Sequence, residues 1–226
     1  MTDNASNTPS KDTLNYHLGI LGGTFDPIHI GHIEPALSVA QALALDEVLI
    51  LPAHIPPHKD STHASPAQRL EMVKRACRPY SIFTPDQREL NRSSVSYTVD
   101  TLRELKTEHP QATLYFLMGM DSLINFTKWH KWQEILDLCH LVVSTRPGYD
   151  STLAASDYPQ TIQEAITTSA EALRTCKEGK ILLLANKAID ISATEIRDAL
   201  ARNNDISSYI PSDVMAFIKE QQLYLP

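Results

Sequence analysis

Two histidines three residues apart, His29 and His32, follow a glycine-rich turn in the run Gly19-Ile20-Leu21-Gly22-Gly23-Thr24-Phe25-Asp26-Pro27-Ile28-His29-Ile30-Gly31-His32. Four of the chain's seven glycines fall inside this run. Glycine lets a backbone approach a phosphate closely. A helix that starts just after it offers unpaired N–H groups and a positive dipole end. At a spacing of three, both imidazoles can face one side of a first helical turn and add neutral or cationic donors. Thr24 supplies a hydroxyl beside the glycines, and Asp26-Pro27 fixes the turn. The segment is neither G-x-G-x-x-G nor G-x-x-x-x-G-K-[ST], so neither of those phosphate-binding mechanisms transfers to it. It reads as a cradle for nucleotide phosphates with electrophilic help of its own.

The elements that must hold this cradle alternate. Leu18–Leu21 is a short apolar strand, and apolar residues from position 33 to 45 recur at helical spacing. Glu47–Leu51, Ser81–Thr84, Thr113–Met118, His140–Thr145 and Lys180–Leu184 read as further strands. Helices are expected from Pro66 to about Arg78, and over Tyr97–His109, Ile162–Lys177, Ala193–Arg202 and Asp213–Gln221. Ser65-Pro66-Ala67-Gln68 marks a capped helix start with proline at the first helical position. Such alternation predicts an α/β fold, a doubly wound parallel sheet with helices on both faces, and a ligand beyond the carboxyl ends of the strands. The unusual residues lie at those ends: Gly22–His32, Pro56–Lys59, Gly119 with Asp121, and Arg146. Residues 1–17 are polar and read as a flexible N-terminal extension without a secretory signal; residues 18–226 read as one domain.

A second candidate is Ile191-Ser192-Ala193-Thr194-Glu195-Ile196-Arg197. Ser192 and Glu195 fit a capping box, and a capped helix start is also an anion site. Tyr97-Thr98 opens a helix. Trp129 sits in Lys128-Trp129-His130-Lys131-Trp132, a segment charged enough to be partly exposed.

Bulk composition narrows the partners. The chain has 226 residues, 42% hydrophobic and 21% charged, with formal net charge −7. A binder of nucleic-acid backbones is not expected, because that needs clustered Lys and Arg. The longest apolar runs fall short of a membrane span. Cys77, Cys139 and Cys176 have no metal-ligand spacing and read as reduced thiols of a cytoplasmic protein.

Gly22–His32 resembles the signature of the nucleotidylyltransferase superfamily, and over most of residues 18–226 the chain is most similar to the bacterial nicotinate-nucleotide adenylyltransferases. That resemblance implies a Rossmann-like fold and Mg²⁺-dependent transfer of AMP from ATP to nicotinate mononucleotide by direct in-line attack. It implies His29, His32 and Arg197 as catalytic residues. The ATP side would comprise Gly22, Gly23, Thr24, Phe25, His29, His32, Gly119, Asp121, Arg146, Ser192, Thr194 and Arg197. The acceptor side would comprise His58, Lys59, Tyr97, Thr98, Asp121 and Trp129, the last stacking on the pyridine ring. Ala193 stands where the family more often has serine, so only its backbone can serve there. Two other readings, a phosphopantetheine-type adenylyltransferase and a non-catalytic nucleotide-binding regulator, share the first cradle. They do not call for the joint presence of Pro57-His58, Tyr97-Thr98 and Trp129.

Overall fold

The computed structural model describes residues 16–54, 62–92, 95–145, 158–186, 189 and 191–225. They build a seven-stranded, all-parallel sheet from β1 (His17–Gly23), β2 (Glu47–Pro52), β3 (Phe83–Pro85), β4 (Thr113–Gly119), β5 (His140–Thr145), β6 (Ile166–Thr167) and β7 (Ile181–Ala185). The order is β3-β2-β1-β4-β5-β7-β6. The chain steps outward from β1 to β3, returns to β4, and steps outward the other way. The sheet is therefore doubly wound, and its switch point lies between β1 and β4, where a crevice opens beyond the strand ends.

Period-two alternation sends each strand's side chains to two cores. Val48 and Ile50 pack with one cluster and Leu49 and Leu51 with the other; Tyr115 and Leu117 likewise oppose Leu114, Phe116 and Met118. Because both faces are covered, the strands read as continuous apolar runs, which is why sequence found them. The first face carries α1 (Ile30–Leu43), α2 (Pro66–Cys77), α7 (Ala193–Ala201) and α8 (Ser212–Glu220). The second carries α3 (Thr98–Glu108), α4 (Met120–Ile124), α5 (Trp132–Leu136) and α6 (Gln160–Ala165).

One expectation changes. The helix expected over Ile162–Lys177 is only α6, ending at Ala165; Ile166-Thr167 then pairs with Ile181-Leu182 as an edge strand, and Ala170–Arg174 is a 3₁₀ turn. Ile166, Thr167 and Thr168 are β-branched and favour extended backbone once a sheet edge is in reach. The first helix begins at Ile30, at the histidines where the sequence placed its first turn, with His29 as its N-cap. No helix among the described residues is long and apolar enough to cross a membrane.

Candidate active site

The start of α1 is built by reciprocal hydrogen bonds. The Gly31 N–H donates to His29 Nδ1 at 3.2 Å, and the His29 N–H donates to His32 Nδ1 at 3.3 Å. This is the logic of a capping box, with imidazoles in place of Ser/Thr and Glu/Gln. With each Nδ1 accepting, the neutral rings carry their protons on Nε2, the edge opposite the cap. The rings lie 3.8 Å apart by centroid, and Phe25 meets His32 edge-on at 5.1 Å. His29 is 3% exposed, and burial lowers its pKa to about 4. It is therefore a neutral hydrogen-bond donor at neutral pH.

Glycines are required where the rings and turn crowd the backbone. A Cβ at Gly31 would stand 2.9 Å from the His29 ring, and one at Gly23 would stand 2.8 Å from the Phe25 ring. One at Gly119 would meet an Asp121 carboxylate oxygen at 2.7 Å, but there the exposed carboxylate can turn aside. Phe25 is core, 2% exposed and with left-handed backbone (φ 50°), so only its backbone can face a ligand.

These parts border a cavity of about 440 Å³ at the switch point. That is an ordinary volume for a small-molecule site. Of the residues singled out by sequence, Gly22, Gly23, His29, His32, Gly119, Asp121, Trp129 and Ser192 line it. Two helix N-termini converge there: α1 through His29 and Gly31, and α7 through Ile191, Ser192 and Ala193. No lysine or arginine appears among the described lining residues, so the positive potential comes from helix ends and N–H donors. Ser192 caps α7 as a capping box with Glu195, its hydroxyl donating to Glu195 Oε2 at 2.7 Å and accepting from the Glu195 N–H at 3.2 Å.

Thr24, Thr194 and Arg197 stand outside that lining. Arg197 donates to the Asp26 carbonyl at 2.8 Å and to Thr194 Oγ1 at 3.3 Å. The Thr24 carbonyl receives Arg69 Nη1 at 2.7 Å. Tyr97, at the N-cap of α3, and Thr98, its first residue, are also outside the lining, but the Tyr97 ring lies tilted against His130 at 4.5 Å, next to Trp129 in the chain. Trp129 in turn meets Phe116 and Phe126 edge-on at 5.9 and 5.7 Å. His58, Lys59 and Arg146 lie outside the described residues.

Sequence reasoning passed over Phe116 and Ser144, which line the cavity from β4 and β5. Ser144 looked like any strand residue; its hydroxyl accepts from the buried Asn186 amide, which in turn accepts from Ser38. Arg69 was also missed, though it left a signal: it shares a buried stripe with Met72, Val73, Ala76 and Cys77, a charge where the pattern wants an apolar group.

Comparison with known proteins agrees with this architecture. A family profile described as cytidylyltransferase-like matches residues 20–199. A "Probable nicotinate-nucleotide adenylyltransferase" of Psychromonas ingrahamii is 46% identical over 213 residues, 94% of this chain and 99% of that protein. One of the same name from Aeromonas hydrophila is also 46% identical over 213 residues, covering 92% and 97%. Among solved structures, the Plasmodium falciparum nicotinic acid mononucleotide adenylyltransferase complexed with NaAD aligns with a TM-score of 0.68 at 21% identity, over 92% of this chain and 97% of that one. That last likeness is one of fold. The match of profile and relatives along nearly the whole chain places it in a family: it belongs to the nicotinate-nucleotide adenylyltransferases, within the cytidylyltransferase-like group.

Proposed function

We propose that the switch-point cavity transfers AMP from ATP to nicotinate mononucleotide, giving deamido-NAD and pyrophosphate, a step of NAD biosynthesis. The observation that carries this reading is the convergence of two helix N-termini, one capped by two imidazoles, on a cavity that also has Asp121 and Trp129 in its wall. In the reaction a phosphate oxygen of the acceptor forms a bond to the ATP α-phosphorus as the bond to pyrophosphate breaks. The nucleophile is already an oxyanion, so no general base is needed. The barrier lies in bringing anions together and spreading charge at phosphorus, which positioning and preorganised donors lower.

His29 and His32 donate through Nε2–H to the reacting phosphates. A neutral donor suits this task because it does not depend on taking up a proton. The N–H groups opening α1 and α7, with Ser192, Thr194 and Arg197, hold the departing phosphates, joined by the backbone of Gly22, Gly23, Thr24 and Phe25. Gly119 and Asp121 meet nucleotide hydroxyls, and Gly119 lacks a Cβ so that the Asp121 carboxylate can fold over it. Trp129 stacks on the pyridine ring, with Tyr97 and Thr98 at the start of α3 on the acceptor side. Arg146 on the ATP side, and His58 and Lys59 on the acceptor side, keep the places the family likeness gives them.

The ion expected with ATP is Mg²⁺. Among the described residues no group of three or more His, Cys, Asp or Glu side chains is placed to hold a metal. Asp121 is the one carboxylate among the cavity's described lining residues, which suits an ion carried mainly by substrate phosphates and water, the usual habit of Mg²⁺. When bound, such an ion screens the phosphate charge and the leaving pyrophosphate.

Mixing the protein with ATP, Mg²⁺ and nicotinate mononucleotide should yield dinucleotide and pyrophosphate in equal amounts. No dinucleotide here, together with turnover of phosphopantetheine, overturns the reading.

A further inference from the structure

Asp26 does not line the cavity, yet three hydrogen bonds meet at its carboxylate and a fourth at its carbonyl. It is 3% exposed. Its Oδ2 accepts the His63 N–H at 2.8 Å, and its Oδ1 accepts the Ala64 N–H at 3.0 Å and the Tyr224 hydroxyl at 2.7 Å. Its backbone carbonyl accepts Arg197 at 2.8 Å. Burial works against its charge, but the Tyr224 hydroxyl and the two N–H groups hold the carboxyl below its usual pKa. Burial and the Asp26 contact raise the Tyr224 pKa, so the phenol stays a donor.

Tyr224 comes from the turn after α8, 198 residues along the chain. That turn is anchored by Leu223, 9% exposed in the first core, whose N–H donates to the Ile218 carbonyl at 2.9 Å. On either side of Leu223, Gln222 and Tyr224 take left-handed backbone, φ 53° and 59°. Side chains other than glycine seldom adopt it, and such conformations persist only where surrounding contacts enforce them. Here the result is delivery of one hydroxyl to one carboxylate oxygen.

We propose that Tyr224 is a positioning residue for adenylyl transfer: through the Asp26 carboxylate it fixes the turn whose carbonyl seats Arg197 and whose chain runs on into His29. The hydroxyl acts on no reacting atom. Its loss leaves Oδ1 with the Ala64 N–H alone, loosens the Asp26 peptide, and lets the guanidinium depart from the pose in which it meets phosphate. This inference rests on the adenylyl-transfer reading and on Arg197's part in it.

The test is a double-mutant cycle on the full chain. Tyr224→Phe should lower kcat about tenfold and weaken ATP binding, measured by calorimetry with Mg²⁺, about threefold, with KM for nicotinate mononucleotide unchanged. In an Arg197→Ala background the same change should cost almost nothing. The exposed Tyr209→Phe should match wild type. A wild-type kcat for Tyr224→Phe, or an equal loss in both backgrounds, overturns the proposal, because a merely structural hydroxyl would act alike with or without Arg197. Asp26→Asn approaches the same bond from its other end and serves if Tyr224→Phe does not fold; it too should lose its effect once Arg197 is alanine, and an undiminished effect contradicts the proposal. A wild-type protein that binds ATP but makes no dinucleotide fails the functional reading instead, and the ATP titrations still read the Tyr224–Asp26–Arg197 coupling.

Discussion

Gly31→Ala sets two effects of known sign against each other. Within a helix this change normally stabilises by about 1 kcal/mol. Here the new methyl would lie 2.9 Å from the Cε1 and Nδ1 of His29 and 3.2 Å from Ile191 Cγ2. The His29 ring has little room to yield: it is 3% exposed and its centroid is 3.8 Å from that of His32. Displacing it breaks the Gly31-to-His29 cap, worth about 0.5–2 kcal/mol, and overpacks the helix start at about 1–3 kcal/mol. The net expectation is a loss of roughly 1–3 kcal/mol in unfolding free energy. The catalytic cost should be larger, since misdirecting one preorganised donor lowers turnover about 10²–10³-fold. Denaturant unfolding and steady-state turnover with ATP and nicotinate mononucleotide read the two terms separately. A variant that is more stable than wild type and turns over normally would show that the ring has room. It would remove the imidazole cap from the mechanism.

Further consequences can be checked independently. His29 should stay neutral down to about pH 4 when its ring is followed by NMR; titration near 6.5 would contradict the neutral-donor assignment. Because its folded pKa lies below its unfolded value, the unfolded chain takes up the extra proton, and stability falls as pH drops from 6.5 towards 4, by about 3 kcal/mol in full; His29→Gln should flatten that part of the profile. Trp129→Ala should raise KM for nicotinate mononucleotide and leave KM for ATP in place, and the reverse pattern would refute stacking on the acceptor. Arg69 is 0% exposed and joins the Thr24 and His54 carbonyls, so Arg69→Met should lose about 3 kcal/mol in urea unfolding and raise KM for ATP. An unchanged unfolding midpoint would show that those carbonyls find other donors.

The parallel strands were legible because strands covered on both faces need apolar side chains at successive positions, and Glu47–Leu51 and Thr113–Met118 have them. The glycine–histidine run stood out as part of a candidate site because its residues are local: Gly22, Gly23, His29 and His32 lie within eleven residues and all line the cavity. What escaped was not local. Ile166 and Thr167 fit a helical window until β7 offers an edge, and no periodicity reveals that edge. Histidine caps were invisible to rules that look for Ser, Thr, Asp or Asn at a helix start. Arg69 was passed over although it is a charge in an apolar stripe, and nothing local reveals its two carbonyl partners. The hydroxyl that meets Asp26 comes from position 224, a pairing that only the completed fold creates.

A crystal structure of the protein with deamido-NAD bound is the decisive check. The dinucleotide should lie in the cavity between the ends of β1 and β4, its bridging phosphates about 3 Å from the Nε2 atoms of His29 and His32, and its pyridine ring on Trp129. A dinucleotide bound elsewhere, or seated with its phosphates away from both histidines, would contradict the proposed function.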